Sequence, residues 1–195
     1  MRKYCLLVFT CLMAFIAVAQ TAGPYAVSDT SSTRKMYVST ARPEAQIVKQ
    51  FPYNIDLKGA DGTMINSAEL FKDNTQPVVL MFWLTTCYPC RMELQAISTK
   101  FEAWQKEVDF KLVAISMDFP HNYGNFVKRV TESNWPFEAY NDLNREFGMA
   151  MPGSLNGLPQ VFVLTPQGEI VYHTRKYVTG DEDLLFSKIK EIAHP

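Results

Sequence analysis

Trp83-Leu84-Thr85-Thr86-Cys87-Tyr88-Pro89-Cys90-Arg91-Met92-Glu93-Leu94 is the stretch whose reading decides the fold. It follows Pro77-Val78-Val79-Leu80-Met81-Phe82, and the apolar run over 77–84 is the mark of a strand buried on both faces. Beyond the second cysteine, Leu94, Ile97, Phe101 and Trp104 recur at helical spacing. Cys87 and Cys90 therefore stand where a central strand hands over to a helix.

Three physical effects meet at that junction. Unpaired N–H groups and the positive end of the dipole in a first helical turn stabilise a thiolate at Cys87. An i, i+3 spacing brings the two sulfurs to one side, within reach of a disulfide Cys87–Cys90 of ordinary geometry. Pro89 is tolerated because first-turn N–H groups have no helical partner to lose. Cys87 thus reads as the attacking thiolate and Cys90 as the resolving thiol. The same spacing supplies half of many zinc sites, so a metal reading stands beside the redox one.

Working outward to the start of the chain, residues 1–19 read as a secretory signal peptide. Arg2 and Lys3 precede an apolar run broken by Thr10, and the run closes on Ala17-Val18-Ala19. An uncleaved signal anchor is the alternative. Cys11 follows Val8-Phe9-Thr10, which is unlike a lipoprotein cleavage box. Cleavage removes Cys5 and Cys11, leaving a chain long enough for one domain with Cys87 and Cys90 as its only cysteines. A disulfide closing so small a loop constrains the unfolded chain little, so the pair reads as kept for exchange rather than for strength. Residues 20–46, rich in Ser, Thr, Ala and Pro, read as a flexible tether.

Nineteen basic and 20 acidic residues give a formal net charge of −1, which offers no electrostatic reason to expect nucleic acid or an anionic membrane surface. His121, His173 and His194 are scattered and read as surface or satisfied polar groups rather than ligands. Met149 and Met151 would soften a metal site, although flexible core filling is the ordinary use. No cofactor is called for and no metal site is assigned.

Around the central strand, 53–57 and 63–65 predict an N-terminal hairpin about Lys58-Gly59-Ala60-Asp61-Gly62. Asn66 followed by Glu69 resembles a capping box opening a short helix to Phe71. A strand is expected over 110–117. A helix marked by Tyr123, Phe126, Val127 and Val130 follows Pro120. A short strand over 137–140 is inserted after Trp135-Pro136, and Asn141 or Asp142 is expected to cap a helix running to about Met149. A Gly/Pro-rich loop then leads to strands over 159–164 and 169–174, joined through Thr165-Pro166-Gln167-Gly168. Asp181, Glu182 and Asp183 open a last helix, with Lys188 and Lys190 towards its end. The pattern predicts an α/β fold with a mixed central β-sheet flanked by helices.

The Trp-x-x-x-Cys-x-x-Cys after a buried strand, Gly157-Leu158-Pro159 further on, and the hairpin behind it resemble a thioredoxin-like fold. With the N-terminal β-hairpin, the inserted strand-helix element near Asn134-Trp135-Pro136-Phe137 and the signal peptide, the chain is similar to the TlpA/ResA-like exported thiol-disulfide oxidoreductases. The likeness covers 47–193 of a domain spanning 47–195. It implies that Pro159 is a cis-proline, against the alternative of a trans proline opening an edge strand. It implies that Leu158 presents backbone to an incoming peptide, which Trp83, Tyr88 and Pro89 also line. It implies that Glu93 exchanges a proton with Cys90, where the plain alternative is a solvated glutamate paired with Arg91 or Lys100. An ionised Glu93 would also raise the cysteine pKa values. Trp83 has a second reading as plain core.

Two positions depart from cytoplasmic thioredoxins. Met81 stands where they bury an aspartate, and Thr86 where they usually have tryptophan. Both leave Glu93 as the better proton-transfer candidate. The family implies a disulfide reductase rather than an oxidase, since Cys-x-Pro-Cys resembles reducing members. It further implies a periplasmic or otherwise extracytoplasmic bacterial monomer, a membrane thiol electron donor, and protein disulfide substrates such as apocytochrome c. One rival is a copper or zinc carrier or peptide-binding module on the same fold. The other is a peroxiredoxin-type thiol peroxidase, for which Leu84 stands where threonine is expected.

Overall fold

β3 (Val78–Trp83) is buried along its whole length, and the alternation of its side chains explains why the sequence shows no alternation there. Val79, Met81 and Trp83 enter one hydrophobic cluster; Val78, Leu80 and Phe82 enter another on the opposite face of the sheet. A strand covered on both sides has no polar face to write into its sequence. The computed structural model describes Phe51 and residues 54–194, all within one compact unit. The expected signal peptide (1–19) and tether (20–46) lie outside the described residues.

The remaining elements are β1 (Asp56–Gly59), β2 (Met64–Asn66), α1 (Tyr88–Glu107), β4 (Lys111–Ser116), α2 (Tyr123–Ser133), β5 (Glu138–Asn141), α3 (Phe147–Ala150), β6 (Gln160–Leu164), β7 (Ile170–Arg175) and α4 (Asp181–Ala193). They form a seven-stranded mixed sheet in the order β2-β1-β5-β4-β3-β6-β7. β3, β4 and β5 run parallel, with Trp83 beside Ser116 and Ser116 beside Asn141. β6 is antiparallel to β3, Phe82 facing Gln160, and β7 returns antiparallel to β6. The N-terminal hairpin joins the far edge through β1 and β5. This register brings the ends of β3 and β4 and the start of β6 to the same end of the sheet.

One face is closed by α1 and α4. Leu94 and Ile97 of α1 and Leu185 and Ile189 of α4 are buried, and Trp104 stacks on Phe186 with ring centroids 4.7 Å apart. Each fully buried aliphatic side chain there contributes about 1.5–3 kcal/mol. The other face is closed by Phe51, Leu70, Phe147, Met151 and Leu155.

Three expectations are corrected. The segment after Asn66 is a single 3-10 turn, Ser67–Leu70, whose cap is Asn66 accepting from the Ala68 N–H, while Glu69 lies towards Lys72 instead of reaching back. The helix expected to start at 141 or 142 is the short α3. Arg145 sits in the left-handed region (φ 58°), which ends any helix there, and its guanidinium is drawn onto the Phe119 ring and the Met117 carbonyl. The N-cap position of α3 is Glu146, whose side chain makes no capping bond; Asp142 lies four residues before it and accepts from the Phe147 N–H at 2.9 Å. Within the loop over 151–157, Pro152–Leu155 forms a 3-10 turn.

Candidate active site

Cys87 is the N-cap of α1. Its backbone is extended, its sulfur accepts from the Cys90 N–H at 3.2 Å, and its carbonyl accepts the first helical bond from Arg91. Pro89 occupies the first turn, where its missing N–H removes nothing. The two sulfurs are joined, S–S 2.01 Å and Cα–Cα 5.3 Å. Cys87 is half-buried whereas Cys90 is fully buried, so an attacking sulfur reaches Cys87 first. Tyr88, 65% exposed, and Pro89 stand outward beside the pair, with the Arg91 guanidinium over the Tyr88 ring.

The loop between β3 and Cys87 is held by a buried polar cluster that sequence reasoning missed. Asp118 accepts from the Thr85 N–H (2.9 Å), the Thr85 hydroxyl (2.8 Å) and the Ser116 hydroxyl (2.7 Å). Asn141 donates to the Ser116 and Asp118 carbonyls, tying β5 into the same cluster. Cys87 N–H then donates to the Leu84 carbonyl. A tight hold on Thr85 fixes the N-cap geometry two residues later.

On the other side of β3, the Leu158-Pro159 peptide bond is cis, as the resemblance implied. Pro159 is buried, and its carbonyl accepts from the Lys176 N–H. Gln160, also buried, donates to the Asn156 and Gly157 carbonyls and pairs with His173, which stacks on Phe162. Leu158 is half-buried and packs against both core clusters; its backbone makes no hydrogen bond among the described residues.

Glu93 is not solvated. It is 2% exposed, on the same face of α1 as Cys90 and one turn further on. Its Oε2 finds no hydrogen-bond partner among the described residues. Lys100, one of the two bases named in the alternative reading, contacts Glu182 (3.1 Å) and Asp183 (2.6 Å). Burial, reinforced by the nearby Asp181 and Glu182 anions, pushes the Glu93 carboxyl up to about 8. Burial also works to raise Glu182, but hydrogen bonds from its own N–H, Lys100, Tyr177 and Gly180 outweigh it and hold that carboxyl at about 2.

Trp83 is corrected from peptide contact to core. It has no exposed surface, and its ring meets Trp135 edge-on at 5.2 Å and Phe126 at 6.2 Å. Met151 is buried core, but Met149 is 87% exposed and fills nothing. His121 and His194 are exposed, and His121 stacks on Phe119. Among the described residues no three His, Cys, Asp or Glu side chains gather as metal ligands, and no helix is long and apolar enough to cross a membrane.

The arrangement is that of a thiol-disulfide oxidoreductase-like thioredoxin fold, and comparison agrees. A profile of the AhpC/TSA family matches residues 47–173. An uncharacterized thioredoxin-like protein from Porphyromonas gingivalis shares 30% identity at a TM-score of 0.63, over 73% of this chain and 91% of its own. A putative thiol:disulfide interchange protein DsbE from Chlorobium tepidum shares 20% (TM-score 0.61; 74% and 98% covered). A secreted Mycobacterium tuberculosis disulfide oxidoreductase homologous to E. coli DsbE shares 18% (TM-score 0.56; 71% and 96% covered). The latter two are likenesses of fold. No curated protein matches the chain.

Proposed function

The chain belongs to the AhpC/TSA family, and from that premise we propose that it is an exported, TlpA/ResA-like thiol-disulfide oxidoreductase working in the reducing direction. The observation that carries the reading is the Cys87–Cys90 disulfide capping α1, with the outer sulfur half-buried and the inner one fully buried beside Glu93.

In the reduced enzyme the Cys87 thiolate, stabilised by the first-turn N–H groups, attacks one sulfur of a client disulfide. A mixed disulfide forms and one client thiolate leaves. Cys90 gives its proton to the Glu93 carboxylate and attacks Cys87 Sγ, releasing the second client thiolate. The products are a reduced client, the Cys87–Cys90 disulfide and a protonated Glu93. The buried carboxyl of the oxidised chain, held up at about 8, supports that assignment. A donor dithiol then attacks Cys87, and Glu93 returns its proton to the departing Cys90 sulfur. Leu158, with its unengaged backbone beside the cis bond, offers an edge to the client chain.

Export rests on the signal-like residues 1–19 and the tether 20–46, and the reducing direction on the Tyr88-Pro89 dipeptide between the cysteines. We place the enzyme as a monomer outside the bacterial cytoplasm, drawing electrons from a membrane thiol donor. Its clients are protein disulfides, apocytochrome c among them. Insulin reduction driven by a small dithiol tests the chemistry: Cys87→Ser abolishes it, and full activity in that variant would refute the assignment. Peroxide consumption with tight absence of insulin reduction would favour the thiol peroxidase instead. Equimolar copper or zinc binding without either activity would favour a carrier.

A further inference from the structure

Gly157 has φ 77°, in the left-handed region, and stands between exposed Asn156 and half-buried Leu158. A glycine leaves the two peptide planes that flank it free to turn. Here both are pinned from beneath by one side chain. Gln160, 1% exposed, donates from Nε2 to the Asn156 carbonyl at 3.2 Å and to the Gly157 carbonyl at 2.9 Å. Both amide hydrogens are then spent and Oε1 can only accept, so His173 Nε2, 2.9 Å away, is the donor. The His173 ring lies flat on the core residue Phe162, centroids 4.1 Å apart. Arg175, which faces Gln160 across β6 and β7, donates to the Asn156 carbonyl as well. Val161 and Val163 enter the cluster that holds Cys90, and Phe162 and Leu164 enter the opposite one. By that alternation Gln160 grips the loop from the face away from the cysteine pair.

We propose that Gln160, oriented by His173, is a positioning residue for client binding: it sets the peptide plane between Gly157 and Leu158 so that the Leu158 N–H is presented to the backbone of an incoming disulfide-bearing chain. The inference rests on reading Leu158 as the client edge. The Gly157-Leu158 peptide is trans, so its C=O and N–H point opposite ways. Tying the Gly157 carbonyl to a buried amide therefore turns the Leu158 N–H away from the core, and it finds no acceptor among the described residues. A loop already held in that shape loses less freedom when the client docks. Gln160 makes no hydrogen bond to either sulfur and is not a catalytic residue. Its effect is confined to partners that have backbone to lay along the loop, and a small disulfide does not read it.

The test offers two disulfides to the reduced full-length chain: insulin, and cystamine, which has no peptide backbone. In Gln160→Leu the second-order rate of insulin reduction falls by about threefold to tenfold, the worth of one misplaced hydrogen bond, while the cystamine rate stays parental. His173→Phe keeps a ring for Phe162 but withdraws the donor to Gln160, and the same split appears in smaller measure. A fall confined to insulin upholds the proposal. Equal losses on both substrates, or a parental insulin rate, overturn it; should Gln160→Leu fold poorly, rates that do not split in His173→Phe do the same. The reading beneath it is checked separately in Cys90→Ser, with a cysteine-containing peptide trapped on Cys87 and deuterium exchange of the Leu158 amide followed by NMR. If capture does not slow that exchange, Leu158 is not the client edge and both readings fall. Slowed exchange there, together with a parental insulin rate in Gln160→Leu, removes the proposal alone.

Discussion

Replacing Glu93 with Gln should make the oxidised protein more stable at alkaline pH while changing little in acid. In the folded chain burial and the Asp181 and Glu182 anions hold the carboxyl up at about 8, against an ordinary 4.5. At pH below both values the group is protonated folded or unfolded, and contributes no difference. As pH rises between them the unfolded chain loses its proton and the folded chain keeps it, so stability falls with rising pH. Each pH unit of that interval is worth about 1.4 kcal/mol, and the loss levels off near pH 8 after reaching about 3–5 kcal/mol. Glutamine cannot ionise, so the variant escapes the whole of it. Any cost of burying the amide is independent of pH and appears as a constant offset. Urea denaturation of both oxidised proteins, followed by tryptophan fluorescence in mildly acidic and mildly alkaline buffer, reads the difference directly. A gap between parent and variant that does not change with pH would refute the reasoning.

Asp118→Ala removes the acceptor for three buried donors and should destabilise the fold by about 2–4 kcal/mol, since the Thr85 N–H cannot turn elsewhere although the hydroxyls can. In the reduced variant Cys87 should also be alkylated with a higher thiol pKa, because the N-cap geometry is loosened; an unchanged pKa would mean that the clamp does not reach the sulfur. Tyr88→Ala, at a side chain 65% exposed, should leave stability within about 0.5 kcal/mol. Its KM for a protein disulfide should rise by about threefold to tenfold, and an unaltered KM would remove Tyr88 from the client surface.

The elements that the chain spells out locally are those whose signals need no partner. The apolar run of β3, the Pro and Cys of the α1 first turn, the turn at Thr165-Pro166-Gln167-Gly168 and the three acids opening α4 all stand in the structure where composition put them. What the sequence hid is what distant segments do to one another. Glu93 carried two readings on paper, proton partner of Cys90 or solvated glutamate; its burial, and the engagement of Lys100 by Glu182 and Asp183, emerge only once α1 and α4 are folded. Thr85, Ser116, Asp118 and Asn141 are unremarked polar residues until parallel pairing sets β3, β4 and β5 side by side. α3 is shorter than its capping residues suggest because Arg145 leaves helical geometry for contacts with Phe119 and Met117. Trp83, last residue of a strand and beside the cysteine loop, carried both a peptide-contact and a core reading, and the core reading holds because α2 and Trp135 close over it.

That Cys87 and Cys90 pass electrons towards a client, rather than drawing them from it, is read most directly from the reduction potential of the pair. Equilibration with glutathione redox buffers, quantified by thiol alkylation, gives that value. A potential near about −270 mV is the expected result for a reductase. One near about −120 mV would make the protein an oxidant and contradict the proposed direction. A pair that never opens across the buffer series would deny the exchange itself.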